Sequence, residues 1–234
     1  MTHSPVIEIS RQVDLAEPER RPALKVLIHA LGADMGGAKR HLFNFIPALA
    51  RLDETNEYTV LVRESLGLED GHGSVRVQRV ADRFTDSAVS RLIYDLWKGP
   101  HQVRRGRFDV VVSLTNFGPV WTRIPHVVFQ RNALYYFPGY LKLVSRKKRI
   151  EVLLRRHLAH ETMQRATMVV TPSDAMADMI RAIYPDLASK PFCTLYHGFA
   201  ARSMDAPLEW RYQSRLSKES VRLLYPTQIG RAHV

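Results

Sequence analysis

Along this chain, apolar runs of strand length alternate with longer stretches whose apolar positions recur at helical spacing. The run over residues 24–30 is the first strand, and Gly32, Gly36 and Gly37 follow it. Leu42, Phe45, Ile46, Leu49 and Leu52 then mark one face of a helix. Pro47 lies inside that helix and lacks the amide that would bond to Phe43, which predicts a kink. Residues 58–62 read as a second strand, and residues 75–80 as a weaker third that alternates with polar side chains. Residues 87–105 read as helix interrupted at Gly99-Pro100. The β-branched run at 109–114 suits a strand buried on both faces of a parallel sheet, and 125–130 is another. One long helix is expected from about Tyr140 to Ala166, then a strand at 168–170. A short helix over 173–183 starts at Ser173 as N-cap, and the last strand, 192–196, ends at His197-Gly198.

This alternation predicts an α/β fold, a doubly wound Rossmann-like parallel sheet, over residues 23–199. Residues 1–22 contain Pro5, Pro18 and Pro22, have neither a basic start nor an apolar core segment of a secretory signal, and read as a disordered tail. Residues 200–220 read as a linker, and 221–228 as the first strand of a second domain that the chain does not continue. Residues 229–234, Ile-Gly-Arg-Ala-His-Val, match the translation of a common sequencing adapter. The expectation is a truncated reading frame with an artefactual end.

Composition narrows the class. At 45% apolar and 24% charged, with no apolar run near the ~20 residues of a membrane-spanning helix, collagen, coiled coil and integral membrane protein are excluded. The lone Cys193 excludes an intrachain disulfide and a cysteine-based metal site, and points to a reducing compartment. The formal charge of +11 favours an anionic partner: a nucleotide, a nucleic acid or an acidic membrane face.

Ligands of open parallel sheets bind at the carboxyl ends of the strands, so the loops there carry the candidate chemistry. In the first, Gly36-Gly37 opens a helix, where bare amides and a partial positive charge suit a phosphate; the alternative is a plain tight turn. The spacing is not the Gly-x-Gly-x-x-Gly fingerprint, and the second strand ends in Val62-Arg63-Glu64, which argues against a nicotinamide oxidoreductase. The fourth strand leads into Thr115-Asn116-Phe117-Gly118-Pro119, the fifth into Gln130-Arg131-Asn132 and then Tyr135-Tyr136-Phe137. Amides beside aromatic rings suit a carbohydrate or lipid headgroup; alternatively the rings are core. Residues 139–166 hold eight basic side chains against two acidic ones, with interleaved leucines: a basic amphipathic helix able to dock on anionic lipid, or the solvated face of a packed helix. Its membrane-contact candidates are Lys142, Arg146, Lys147, Lys148 and Arg149. The histidines are scattered, so no metal is predicted, and no Walker loop or nucleophile elbow is found.

Taken together, Gly36-Gly37-Ala38-Lys39-Arg40-His41-Leu42 after a strand, Val170-Thr171-Pro172-Ser173-Asp174-Ala175, and Tyr196-His197-Gly198-Phe199 resemble the N-terminal half of a GT-B glycosyltransferase of the retaining group 1, or family 4, type. The resemblance covers about residues 23–228. It implies two Rossmann-like lobes around a cleft, the N-terminal one holding the acceptor and the other a nucleotide-sugar. It also implies that Gly36 and Gly37 lie at the cleft with their amides near the donor diphosphate, and Asp34 near the acceptor; Asn116, Arg131 and Asn132, from the loop chemistry above, are the further acceptor-binding candidates. Where the family commonly has a His-Asp pair after the fifth strand, Gln130-Arg131-Asn132 stands instead, so no histidine role carries over. The paired glutamates of the family belong to the second lobe, which leaves the catalytic residues unassigned here.

The resulting expectation is a cytoplasmic hexosyltransferase-type enzyme, peripheral at the inner membrane face. It would use no cofactor beyond its nucleotide-sugar substrate, act on a sugar or lipid-linked acceptor, and be inactive as this chain alone. The competing readings are another nucleotide-binding α/β enzyme, or a non-catalytic basic module for membrane or nucleic acid. Neither explains glycines at the ends of two well-separated strands.

Overall fold

The computed structural model describes residues 22–196, apart from Met35, His72 and Pro138. The expected tail (except Pro22), the linker, the strand at 221–228, the segment 229–234, and His197-Gly198 lie outside the described residues.

Among the described residues seven strands form one sheet: β1 (Lys25–His29), β2 (Glu57–Arg63), β3 (Val75–Val80), β4 (Val110–Ser113), β5 (His126–Phe129), β6 (Met168–Thr171) and β7 (Phe192–Thr194). Their order is β3-β2-β1-β4-β5-β6-β7, and every pairing is parallel. Side chains alternate across a strand, so β1 divides its apolar residues between two cores. Val26 and Ile28 pack with Leu42 and Ile46 on one face, and Leu27 joins Leu61, Val111, Tyr94 and Val103 on the other. A third core gathers Val128, Val169, Met163 and Ile180 around β5 and β6. This is the doubly wound arrangement that the sequence pattern predicts.

Helix α1 (Gly36–Leu52) follows β1, buries Leu42 and Ile46, and runs continuously through Pro47. Pro47 is exposed, so the Phe43 carbonyl that it leaves without an amide partner lies on the solvent side. At the predicted interruption, Gly99-Pro100, the helix is not broken but changes its winding. Helix α2 (Ala88–Ile93) widens into a π-helical turn (Tyr94–Lys98), and α3 (Gly99–Arg105) follows directly. Pro100 falls in the first turn of α3, where its missing N–H costs little.

The single helix expected from Tyr140 to Ala166 is two. Helix α4 (Tyr140–Leu143) stops at an extended Val144, and α5 (Arg146–Arg165) restarts with Ser145 as N-cap, its hydroxyl accepting from the Lys148 amide. Nor is α5 cleanly amphipathic. It buries Val152, Leu158, Ala159 and Met163, while Ile150 and Leu153 face solvent among the basic residues. Helix α6 (Asp174–Ile183) precedes β7 and is capped by Ser173 as predicted.

Candidate functional site

The strand order reverses between β1 and β4, and at such a switch point the loops diverge and leave a crevice. A cavity of about 460 Å³ sits there, walled by the end of β2, by the loops after β1, β3, β4 and β5 and by one side of α2 and α5. A larger cavity of about 720 Å³ lies under α3, bordered by segments that precede β4 and β5. It is at the amino ends of the strands, away from every candidate residue, so the smaller cavity is taken as the site.

In the loop after β1, Gly36 has φ +60°, a left-handed conformation that favours glycine, and so the turn itself requires it. A side chain at Gly37 would meet nothing within 4 Å, and both glycines are exposed at the start of α1. Asp34 is bound by Arg63 from the end of β2 at 2.5 Å. The same guanidinium holds Asp86 at 2.6 Å and approaches Asp82 at 3.6 Å. One cation therefore ties together the loops after β1 and β3.

The loops after β4 and β5 are locked by Asn116. Its side-chain oxygen accepts from the amides of Arg131 (2.7 Å) and Asn132 (3.0 Å), which occupies both lone pairs. Only the Asn116 NH₂ remains for a ligand. Asn132 Oδ1 accepts from the Leu134 amide, capping the 3₁₀ turn Ala133–Tyr135. Arg131 reaches back to α1, with Nη2 3.0 Å from His41 Nε2, and its guanidinium lies against the Phe129 ring. Burial lowers its pKa. Of the aromatics, Tyr135 and Tyr136 are core, Tyr136 donating to Gln130 Oε1 at 2.6 Å; Phe137 is half exposed.

Beneath the cavity lies a buried group. His29 at the end of β1 and Asp95 on the π turn are fully buried, with His29 Nε2 3.1 Å from Asp95 Oδ1, at an angle outside hydrogen-bond geometry. Arg91, four residues before Asp95, donates from Nε to Oδ2 at 2.6 Å. Burial lowers the pKa of His29 and leaves it neutral, although Asp95 opposes the shift. Burial pushes Asp95 upward, but the Arg91 guanidinium opposes it and the net shift is downward, so it is ionised. The net charge of the group is thus balanced between Arg91 and Asp95. Next to it, Ser113 Oγ is 2.8 Å from His126 Nε2; burial, with His29 nearby, lowers His126 to about 3.

Sequence reading did not pick out Arg63, Arg91, Asp95 or His41. A polar His29 closing an apolar strand, and Arg91 spaced four before Asp95, were the available signals. Lys142, Arg146, Lys147, Lys148 and Arg149 are all exposed, beside Leu143 (80% exposed) and Ile150 (65%). Among the described residues no helix is long and apolar enough to cross a membrane, and no His, Cys, Asp and Glu side chains gather as a metal site.

A parallel sheet wound on both faces, with its crevice at the switch point and an open helix start beside it, defines a Rossmann-like lobe of the GT-B kind. The sequence model of Glycosyltransferase Family 4 matches residues 35–199, and the chain belongs to that family. Among solved structures, apo UGT2 of Phytolacca americana superposes with a TM-score of 0.50 at 10% identity, over 78% of this chain and 53% of that one. The same plant enzyme complexed with UDP-2fluoro-glucose and pterostilbene gives 0.49 at 10% identity, over 78% and 56%. Medicago truncatula UGT71G1 complexed with UDP-glucose gives 0.43 at 13% identity, over 75% and 51%. The chain thus spans about half the length of the solved structures it matches. No curated protein matches it.

Proposed function

We propose that the protein is the acceptor-side lobe of a glycosyltransferase that moves a sugar from a nucleotide-sugar to an acceptor hydroxyl with retention of configuration. The observation that carries this is the exposed Gly36-Gly37 start of α1 beside the switch-point cavity, in a chain of Glycosyltransferase Family 4. The first amides of a helix have no partner within it, and with the helix dipole they favour a diphosphate. Gly36 and Gly37 hold the donor diphosphate there. Arg131, fixed by Asn116 and His41, lies on the same side of the sheet ends as Asn132 and Asp34, which face the acceptor.

In a retaining transfer of this family type the departing diphosphate itself helps to remove the acceptor proton. The protein then has to orient the acceptor and stabilise the leaving group rather than supply a strong base. The donor-side contacts belong to a second lobe, so the 234-residue chain alone is expected to be inactive. The test is transfer from a panel of nucleotide-sugars, to sugar and lipid-linked acceptors, by a polypeptide carrying this chain together with a donor-side lobe. Transfer with the configuration of the donor retained supports the reading, and no transfer from any donor overturns it.

The lobe also works at the cytoplasmic face of an anionic membrane in this reading. What supports it is the placement of Leu143, Ile150 and Leu153 in solvent among Lys142, Arg146, Lys147, Lys148 and Arg149. Apolar side chains enter the interface while each basic residue near the surface adds ~1 kcal/mol.

A further inference from the structure

Nine side-chain polar atoms among the described residues are buried without a hydrogen-bond partner, and four of them belong to residues that line the switch-point cavity. They are Arg63 Nε, Arg91 Nη2, Thr115 Oγ1 and Arg155 Nε. The Arg91 side chain is only 8% exposed, and its Nε is already spent on Asp95. Arg155 gives Nη2 to Glu151 at 2.8 Å, and Arg63 Nε comes only within 3.6 Å of Asp82. Three of the four atoms are guanidinium N–H donors, which cannot be deprotonated, and the fourth is a hydroxyl that donates as readily as it accepts.

Donors left unpaired in a low-dielectric site are costly, typically by the full desolvation penalty of the group. A neutral sugar, with hydroxyls that must donate as well as accept, is a poor match for such a set. The carboxylates that line the cavity, Asp34 and Asp86, are already held by Arg63. An oxyanion, which accepts only, fits.

We infer that the cavity takes an anionic acceptor, one that carries a phosphate or a carboxylate, and that Arg91, Arg155 and Thr115 bind this group. The inference rests on the reading of the cavity as the acceptor's. The anion lies between α2 and α5, and the acceptor hydroxyl extends from it toward Gly36-Gly37. Arg91 fixes the anion from below, and its partner Asp95 keeps the guanidinium in place in the absence of ligand.

The test is calorimetric titration of the chain, at constant ionic strength, with inorganic phosphate, glucose 6-phosphate, glucuronate and glucose. Arg91→Gln would strip the buried Asp95 of its counter-charge and is liable to unfold, so the test uses Arg155→Gln and Thr115→Val. Arg123→Gln, a basic residue of the other cavity, is the control for general charge. At least one anionic sugar binds while glucose does not, with about tenfold loss in Arg155→Gln, the scale of one charge-assisted hydrogen bond. Arg123→Gln binds as the unchanged protein does. Glucose 6-phosphate alone assigns a phosphate and glucuronate alone a carboxylate. Binding of none of the anions, or binding that Arg155→Gln leaves intact, overturns the inference. Sugar transfer is not read in this titration, so that failure leaves the transferase reading to its own assay.

Discussion

His126 and His29 are held neutral in the core, and this fixes how the protein responds to acid. His126 lies at about 3 in the folded protein, against about 6.5 in an unfolded chain. Between those values the unfolded chain binds more protons than the folded one. Stability is therefore full above about pH 6.5 and falls as the pH drops toward 3, by up to about 1.4 kcal/mol per pH unit for each such histidine. Urea melts between pH 7 and 5 check it: the wild-type midpoint falls, and His126→Gln shows a shallower fall. Gly118 is a second sensitive residue. A Cβ there would stand 2.0 Å from Ser113 Oγ and 3.5 Å from His29 Nδ1, so Gly118→Ala is expected to cost about 1–3 kcal/mol in denaturant melts. Sequence reading placed Gly118 in a loop without a role, because its constraint appears only when the chain folds back over Ser113 and beside His29 of another strand.

At the scale of elements, the strands were legible because buried parallel strands leave continuous apolar, β-branched runs such as Val110-Val111-Val112. The divisions within helices were not. Val144 ends one helix and Ser145 begins the next within a run of residue types that would continue a helix, and a π turn has no apolar period of its own to read. Leu42, fully buried against the sheet, anchors α1, and Leu42→Ala is expected to cost about 2–5 kcal/mol. On α5, Lys147→Gln and Arg149→Gln should each weaken sedimentation with anionic vesicles about fivefold, and Ile150→Gln should weaken it with no change in melting temperature, since its side chain is already in water. Equal sedimentation of all three variants with the parent protein would remove the membrane reading while leaving the fold and the cavity untouched.

For the whole molecule, the order of the strands decides where a ligand can sit, and the glycine-to-helix junction after β1 could be found from sequence because it is a local pattern. The cavity behind it could not: Arg63, Arg91 and Arg155 come from β2, α2 and α5, and only the folded lobe brings them to one place. Arg63 carries the largest share of that closure, since Asp34, Asp82 and Asp86 converge on a side chain only 17% exposed. Were Arg63 replaced by a neutral residue, those acids would turn from ties into mutually repelling charges at the rim. The loops after β1 and β3 would lose their common anchor and part, leaving at the rim three acids that no cation ties together.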